Sequence, residues 1–300
     1  MLAIVIPYYK LTFFEAVLQS LAIQTDQRFK VYIGDDASPE DSSKLLKKYQ
    51  GKFDFIYHRF EENLGGIALT QQWERCIAMT GDEQWIMILG DDDVLQENCV
   101  ASFYVNLSDI NVNDCKVIRF ATQVINQDNK LISDIYYHPQ IENSVEFIMR
   151  KFKGGTRSSL SEFVFYKKAL LDVQFKNFPL AWFSDLLAVL EVSNFGLIYT
   201  ITDAVVSFRL SGENITSKTD NLVLKNEASF QFYYYLLDQK TFFFDNEQIA
   251  VLQQKLEKTF LNNKKNGQFW ILFTKLYWSK GYFENYMKFL GNAGLRAIKK

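Results

Sequence analysis

The sequence predicts an α/β protein: a Rossmann-like, mostly parallel sheet flanked by helices, with a C-terminal helical appendage. Three observations lead there. Short apolar runs alternate with amphipathic stretches of helical period through residues 1–110. Each connection is long enough for a right-handed crossover between parallel strands. From residue 220 onward the period turns helical and stays so.

Residues 2–6 form an apolar strand that Pro7 stops, since proline cannot donate to a ladder. An amphipathic helix over 12–24 puts Phe14, Val17, Leu18, Leu21 and Ala22 on one face. The next strand, 29–33, runs into Gly34-Asp35-Asp36-Ala37-Ser38-Pro39. Asp41 or Ser42 can cap a helix to Tyr49, and 53–57 is a third strand. Asn63-Leu64-Gly65-Gly66 opens a helix through Met79, and the run from Ile86 to Leu89 is a strand buried on both faces. Beyond Leu95 come a helix to Leu107, a strand at 117–124, a turn at 126–130 and a returning strand at 131–137. A helix at 145–152, a flexible junction at 153–156, a strand at 163–166, a helix at 181–194 and strands at 197–201 and 204–210 follow. Helices are expected over 221–237, 247–261, 268–278 and 282–290, with the main domain boundary near residue 215.

Composition narrows the function. The chain has 300 residues, 48% hydrophobic and 23% charged, enough for a sizeable core. Its net charge of −2 argues against nucleic acid as a partner. The charge is uneven, however: residues 251–300 carry ten Lys or Arg against two Glu, giving +8 and leaving −10 for the rest. Aromatics reach 16%, and in the tail Phe269, Trp270, Phe273, Leu276, Tyr277 and Trp278 are interleaved with Lys275 and Lys280. Bulky aromatics beside lysine suit a helix lying on an anionic membrane surface, but they equally suit the core of a small helical bundle. Cys76, Cys99 and Cys115 have no metal-like spacing and read as reduced, buried thiols. With no basic leader and no apolar run of 18 residues, neither a signal peptide nor a membrane span is expected. The expected location is cytoplasmic, with peripheral attachment to the inner face of the membrane as an option.

Gly90 ends the fourth strand, and Asp91, Asp92 and Asp93 follow it directly. Three adjacent carboxylates repel unless a cation or proton intervenes. A hard divalent ion is one remedy, since it binds through one or two carboxylates plus substrate phosphates. An acidic turn capping the next helix is the other reading. Pro7-Tyr8-Tyr9, Asp35-Asp36 and the acidic triplet all fall at carboxyl ends of expected strands, where such sheets bind ligands.

Over about residues 2–215 these motifs, in this order, resemble the inverting family 2 glycosyltransferases of the GT-A fold. The family opens with Pro-x-Tyr-Asn, here Pro7-Tyr8-Tyr9-Lys10. It continues with Asp-Asp-x-Ser, here Asp35-Asp36-Ala37-Ser38, then Asn-x-Gly, here Asn63-Leu64-Gly65, then the acidic metal motif. Two positions depart from it: Lys10 replaces the usual Asn, and Gly90 falls where many relatives carry a first acid.

The resemblance implies a nucleotide-binding half over 1–110, an acceptor half over 111–215 and a helical region over 216–300. It implies a metal-dependent transfer of a sugar from a nucleotide-diphosphate donor, a UDP-sugar foremost, to a saccharide hydroxyl. Synthesis of cell-surface polysaccharide or a lipid-linked glycan is the implied setting. Pro7, Tyr8, Tyr9, Asp35, Asp36, Asn63, Gly65 and Asp91 would bind nucleotide, with Tyr9 stacking on the base and Asp35 or Asp36 accepting from the uracil N–H. Asp92 would hold Mn²⁺ or Mg²⁺ with Asp91 or Asp93 as second ligand. Asp185, in Trp182-Phe183-Ser184-Asp185, would be the base that inversion requires, with Glu162 the weaker competitor. Arg157, with Ser158, could line the diphosphate or acceptor site. Arg209 could bind diphosphate or pair with an acid, and Trp182 could meet the acceptor sugar or sit in the core. A nucleotidyltransferase is the rival enzyme class, disfavoured because no Gly-rich basic loop follows the first strand. A non-catalytic nucleotide-sugar-binding protein is the third reading.

Overall fold

The computed structural model describes residues 1–298, with side chains through residue 291. The first half alternates as expected: β1 (Leu2–Tyr8), α1 (Phe14–Ala22), β2 (Phe29–Asp35), α2 (Ser43–Tyr49), β3 (Phe55–Arg59), α3 (Gly65–Ile77) and β4 (Trp85–Ile88). Then come β5 (Val94–Leu95), α4 (Cys99–Val112), β6 (Val117–Asn126), β7 (Ile141–Asn143), α5 (Ser144–Phe152), β8 (Phe163–Tyr166), α6 (Lys167–Val173), α7 (Ser184–Val192) and β9 (Leu197–Leu210). The helices α8 (Leu222–Gln239), α9 (Asn246–Asn262), α10 (Gly267–Ser279) and α11 (Phe283–Ile298) complete the chain.

Among the described residues nine strands join one sheet in the order β3-β2-β1-β4-β8-β6-β9-β5, with β7 also on β9. The strands β3, β2, β1 and β4 are parallel, while β8 runs antiparallel to both β4 and β6. Strand β1 is apolar at consecutive positions because helices cover both of its faces. Leu2, Ile4, Ile6 and Tyr8 share one core with Val17, Leu18 and Leu21 of α1 and Phe103 and Ile110 of α4. Parallel pairing sets Tyr8 opposite Asp35, so the turns after β1 and β2 emerge side by side.

Several elements differ from expectation. Residues 131–137 make only isolated bridges, Thr122 to Tyr136 and Ile125 to Leu131. The reason is local: Ser133 Oγ takes the Val124 N–H at 2.8 Å, so a side chain replaces a ladder partner. The two strands expected over 197–210 are one, and its pairing with β6 shifts register between Phe120 and Ala121. The helix expected from 181 starts at Ser184, after a 3-10 turn at Pro179–Ala181. Neither β5, β7 nor α6 was foreseen, each being too short to show a period.

The chain divides into two compact units. The first is Met1–Asn177 with Ser184–Lys218; the second is Thr219–Lys300 with Phe178–Phe183. The short segment of the second unit holds three non-glycine residues at positive φ, Leu180 (59°), Ala181 (51°) and Phe183 (71°). Such backbone persists only where packing over-determines it. Here Phe232 of α8 lies against both Phe178 (6.2 Å between ring centroids) and Phe183 (4.9 Å). Within the helical unit Phe269, Phe273, Leu276 and Tyr277 are core residues, as the bundle reading expected, whereas Trp270 and Trp278 are exposed. Arg296, Lys299 and Lys300 of the basic tail have side chains outside the described residues.

Candidate active site

Four sequence motifs meet at the carboxyl edge of β1, β2 and β4. Asp91 makes the central tie: its Oδ2 accepts from the backbone N–H groups of both Tyr9 and Lys10, each at 2.8 Å. The turn after β1 is thereby fastened to the acidic triplet. Ser38 Oγ donates to the Tyr9 carbonyl at 2.6 Å, which adds the turn after β2. Asp36 adds the fourth motif, accepting from Leu64 N at 2.8 Å and Gly65 N at 2.9 Å. Only glycine fits at position 65, because a Cβ would stand 2.6 Å from Asp36 Oδ2. Asn63 Oδ1 accepts from Gly66 N at 2.7 Å, closing the turn into α3.

Asp35 and Asp36 are both buried and already paired. Asp35 accepts from Ser38 N, the Tyr57 hydroxyl and Arg59 Nη1 (2.9 Å for the last). Asp36 also pairs with Arg75. Arg59 and Arg75 escaped the sequence reading, since nothing local marks an arginine 24 or 39 residues away as a partner. Tyr8, expected on the nucleotide, belongs instead to the core: it is fully buried, with its ring 4.5 Å from Phe14. Burial pushes its hydroxyl up to about 12. Tyr9 and Pro7 are partly exposed at the edge.

The acidic triplet divides its work. Asp93 is buried, and its Oδ1 accepts from Arg209 N at 2.9 Å. Asp92 is different, for no hydrogen bond among the described residues reaches its carboxylate. Burial first, then the charges of Asp93 and Asp91, push its pKa up to about 8. Burial likewise raises Asp91 and Asp93. An added Cβ at Gly90 would stand 3.1 Å from Asp92 Oδ1 and 3.2 Å from Asp93 Oδ2. Two carboxylates thus turn toward the same bare backbone, and Gly90 donates its N–H to Ser161 Oγ at 3.0 Å. Among the described residues no cluster of three or more His, Cys, Asp or Glu could hold a metal unaided. The donor set fits a hard cation that completes its shell with phosphate and water.

Arg209 does not reach outward to a phosphate. It is fully buried, and its guanidinium is spent on the Asp92 carbonyl (2.8 Å), the Asn126 carbonyl (2.9 Å) and Asn129 Oδ1 (2.7 Å). Its task is to hold the acidic loop in place. Arg157 is also mostly enclosed, 3.9 Å from Glu162 Oε2 and stacked 4.3 Å over the Phe208 ring. Glu162 is fully buried and closes a capping box with Ser159, so an acceptor hydroxyl has no open path to it.

Asp185 lies in the first turn of α7 and is only partly buried. Burial raises its pKa, while the charge of Lys151 pulls the other way. Lys151 is also near Glu162 in charge, and burial lowers its pKa. Asp185 makes no hydrogen bond to the strand-edge motifs among the described residues. Trp182 belongs to the helical unit, where Lys225 Nζ sits 5.1 Å from its ring. A buried network of Arg119, Glu142, Arg150 and His138 was also unforeseen. Burial and the two arginines lower His138 to about 3, which keeps its ring neutral.

Residues 3–171 match the family model described as glycosyl transferase family 2. Among solved structures, the chain is similar to S. aureus TarS 1–349 in complex with UDP, at 15% identity and TM-score 0.62, covering 89% of this chain and 73% of that one. The same TarS region with UDP-GlcNAc gives 16% identity and TM-score 0.64, covering 89% and 74%. GalNAc-T7 with UDP, GalNAc and Mn²⁺ gives 12% identity and TM-score 0.50, covering 87% and 56%. At these identities the likeness is one of fold. No curated protein matches the chain.

Proposed function

The chain belongs to glycosyl transferase family 2 and is a glycosyltransferase of the GT-A fold, and from that premise we propose a metal-dependent inverting transfer from a nucleotide-diphosphate sugar to a saccharide hydroxyl. UDP is the nucleotide the reading favours, and TarS, similar in fold, has been captured with UDP and UDP-GlcNAc. The observation that carries the proposal is the single edge on which Asp91 fastens the Tyr9–Lys10 turn while leaving the Asp92 carboxylate free. Tyr9 offers a ring to the base, and Asp35 or Asp36 an acceptor to its N–H, once Tyr57 and Arg59 or Arg75 give way. Asp92 and Asp93 would hold Mn²⁺ or Mg²⁺. When bound, that ion would neutralise charge on the departing diphosphate.

Asp185 takes the acceptor proton in this reading. Its partial exposure favours it over the enclosed Glu162, and its raised pKa strengthens it as a base. Arg157 steadies Glu162 and Phe208 rather than binding acceptor. The acceptor is a saccharide, free or lipid-linked, within surface-glycan synthesis. A thermal-shift panel of nucleotide sugars with and without Mn²⁺ tests the proposal. One nucleotide class should raise Tm by several degrees only when the ion is present; no shift from any donor would remove it.

An anionic membrane surface is the further partner in this proposal. The helix α10 is apolar on two faces, one in the bundle core and one open, and a helix apolar all round is normally covered all round. Trp270, Ile271 and Trp278 are exposed on that open face around Lys275, with Phe283 and Met287 of α11 also exposed. Lys264, Lys265, Lys280 and Lys288 are exposed in the same unit. No described helix is long and apolar enough to cross a membrane. Flotation should recover the protein with phosphatidylglycerol vesicles at low salt and lose it at high salt. Equal recovery with neutral vesicles, or none with anionic ones, would end this part of the proposal.

A further inference from the structure

Lys10 stands where the related motif carries asparagine, and its side chain is placed for a task of its own. Its backbone N–H is fixed on Asp91 Oδ2 at 2.8 Å, so the side chain departs from a point beside the acidic triplet. Its ammonium nevertheless points to the loop after β9. Nζ donates to the Glu213 carbonyl at 2.9 Å and lies 3.8 Å from Glu213 Oε2. The two side chains are 38% and 54% exposed, so water and salt screen the ammonium–carboxylate pair, and one exposed hydrogen bond to the Glu213 carbonyl is the main hold on the ammonium. Gly212, at φ +82°, turns the chain immediately before Glu213.

A diphosphate brought to this edge by its nucleotide would offer the ammonium several charged oxygens in place of one carbonyl and one screened carboxylate. Charge-assisted contacts of that kind are stronger than exposed carboxylate pairs. We propose that Lys10 is a donor-phosphate ligand held in reserve by Glu213, so that the 211–218 loop and the diphosphate compete for one ammonium. The inference rests on the nucleotide-sugar reading above. Donor binding then frees Glu213, while Asn214 still anchors the loop through Nδ2 to the Arg209 carbonyl. Departure of the diphosphate lets the pair re-form.

Competition makes opposite predictions for the two partners, which a purely structural ion pair does not. By calorimetry with UDP and Mn²⁺, Lys10→Ala should weaken binding about tenfold through loss of a charge-assisted contact. Glu213→Gln should tighten it about two- to fivefold by removing the competing charge. The double variant should bind like Lys10→Ala alone. Weakening in both single variants would overturn the proposal, as would wild-type affinity in both. Failure of the wild-type protein to bind UDP or GDP at all would overturn the donor reading itself, and this inference with it.

Discussion

Asp185→Asn is expected to lower sugar transfer by about 10²–10⁴-fold, the usual worth of a positioned general base, with UDP affinity unchanged. The substitution keeps the shape of the side chain but removes its capacity to accept a proton. Among the described residues Asp185 makes no hydrogen bond to the nucleotide-side motifs, so donor binding has no reason to suffer. The wild-type pH profile gives a second readout. Burial raises the Asp185 pKa, and only the ionised form serves as base. The rate should therefore fall as pH drops through a value above the ordinary carboxylate range, and that acidic limb should vanish in the residual rate of the variant. Full activity in Asp185→Asn would end the assignment.

The second large effect belongs to Asp92. Asp92→Ala should cost at least about 100-fold in the Mn²⁺-dependent part of UDP affinity, beyond what a metal site loses when a residue that only hydrogen-bonds to a ligand is removed. Among the described residues, its carboxylate is the one member of the triplet that accepts no hydrogen bond. Asp91 and Asp93, by contrast, are engaged by the Tyr9 and Lys10 backbone and by the Arg209 backbone. Titrations of UDP with Mn²⁺ and with EDTA separate the metal-dependent term. Equal metal-dependent affinity in wild type and variant would show that the ion sits elsewhere.

What could be read in advance follows the range of each interaction. The strand ends were legible because a continuous apolar run, such as 86–89, gives way abruptly to polar turn residues. Tyr8 was legible too, though misassigned. It shares strand parity with Leu2, Ile4 and Ile6, which places it on the core face, and only Tyr9 lies past the strand end. The exposed Trp278 was similarly encoded, since it falls on the helix side opposite the buried 269, 273 and 276, whereas Trp270 lies at the edge of that buried face. The partners that set the charge of the site were not legible. Arg59 and Arg75 on the paired aspartates, Ser161 on Gly90 and Arg209 on Asp92 join residues that only the finished sheet brings together. Arg209 shows the limit best: the same residue type would serve a phosphate or a backbone carbonyl, and only its burial decides.

The strained segment Phe178–Phe183 bears on how this protein can be recombined. It precedes α7 in the chain, yet its packing partners lie in α8. A graft joining residues 1–215 to another C-terminal region would leave Phe178 and Phe183 uncovered and three left-handed residues with nothing to hold them. They stand directly upstream of Asp185. The workable exchange is one that carries Phe178–Phe183 together with the helices, as a two-piece cassette, rather than a cut at the boundary the linear sequence suggests.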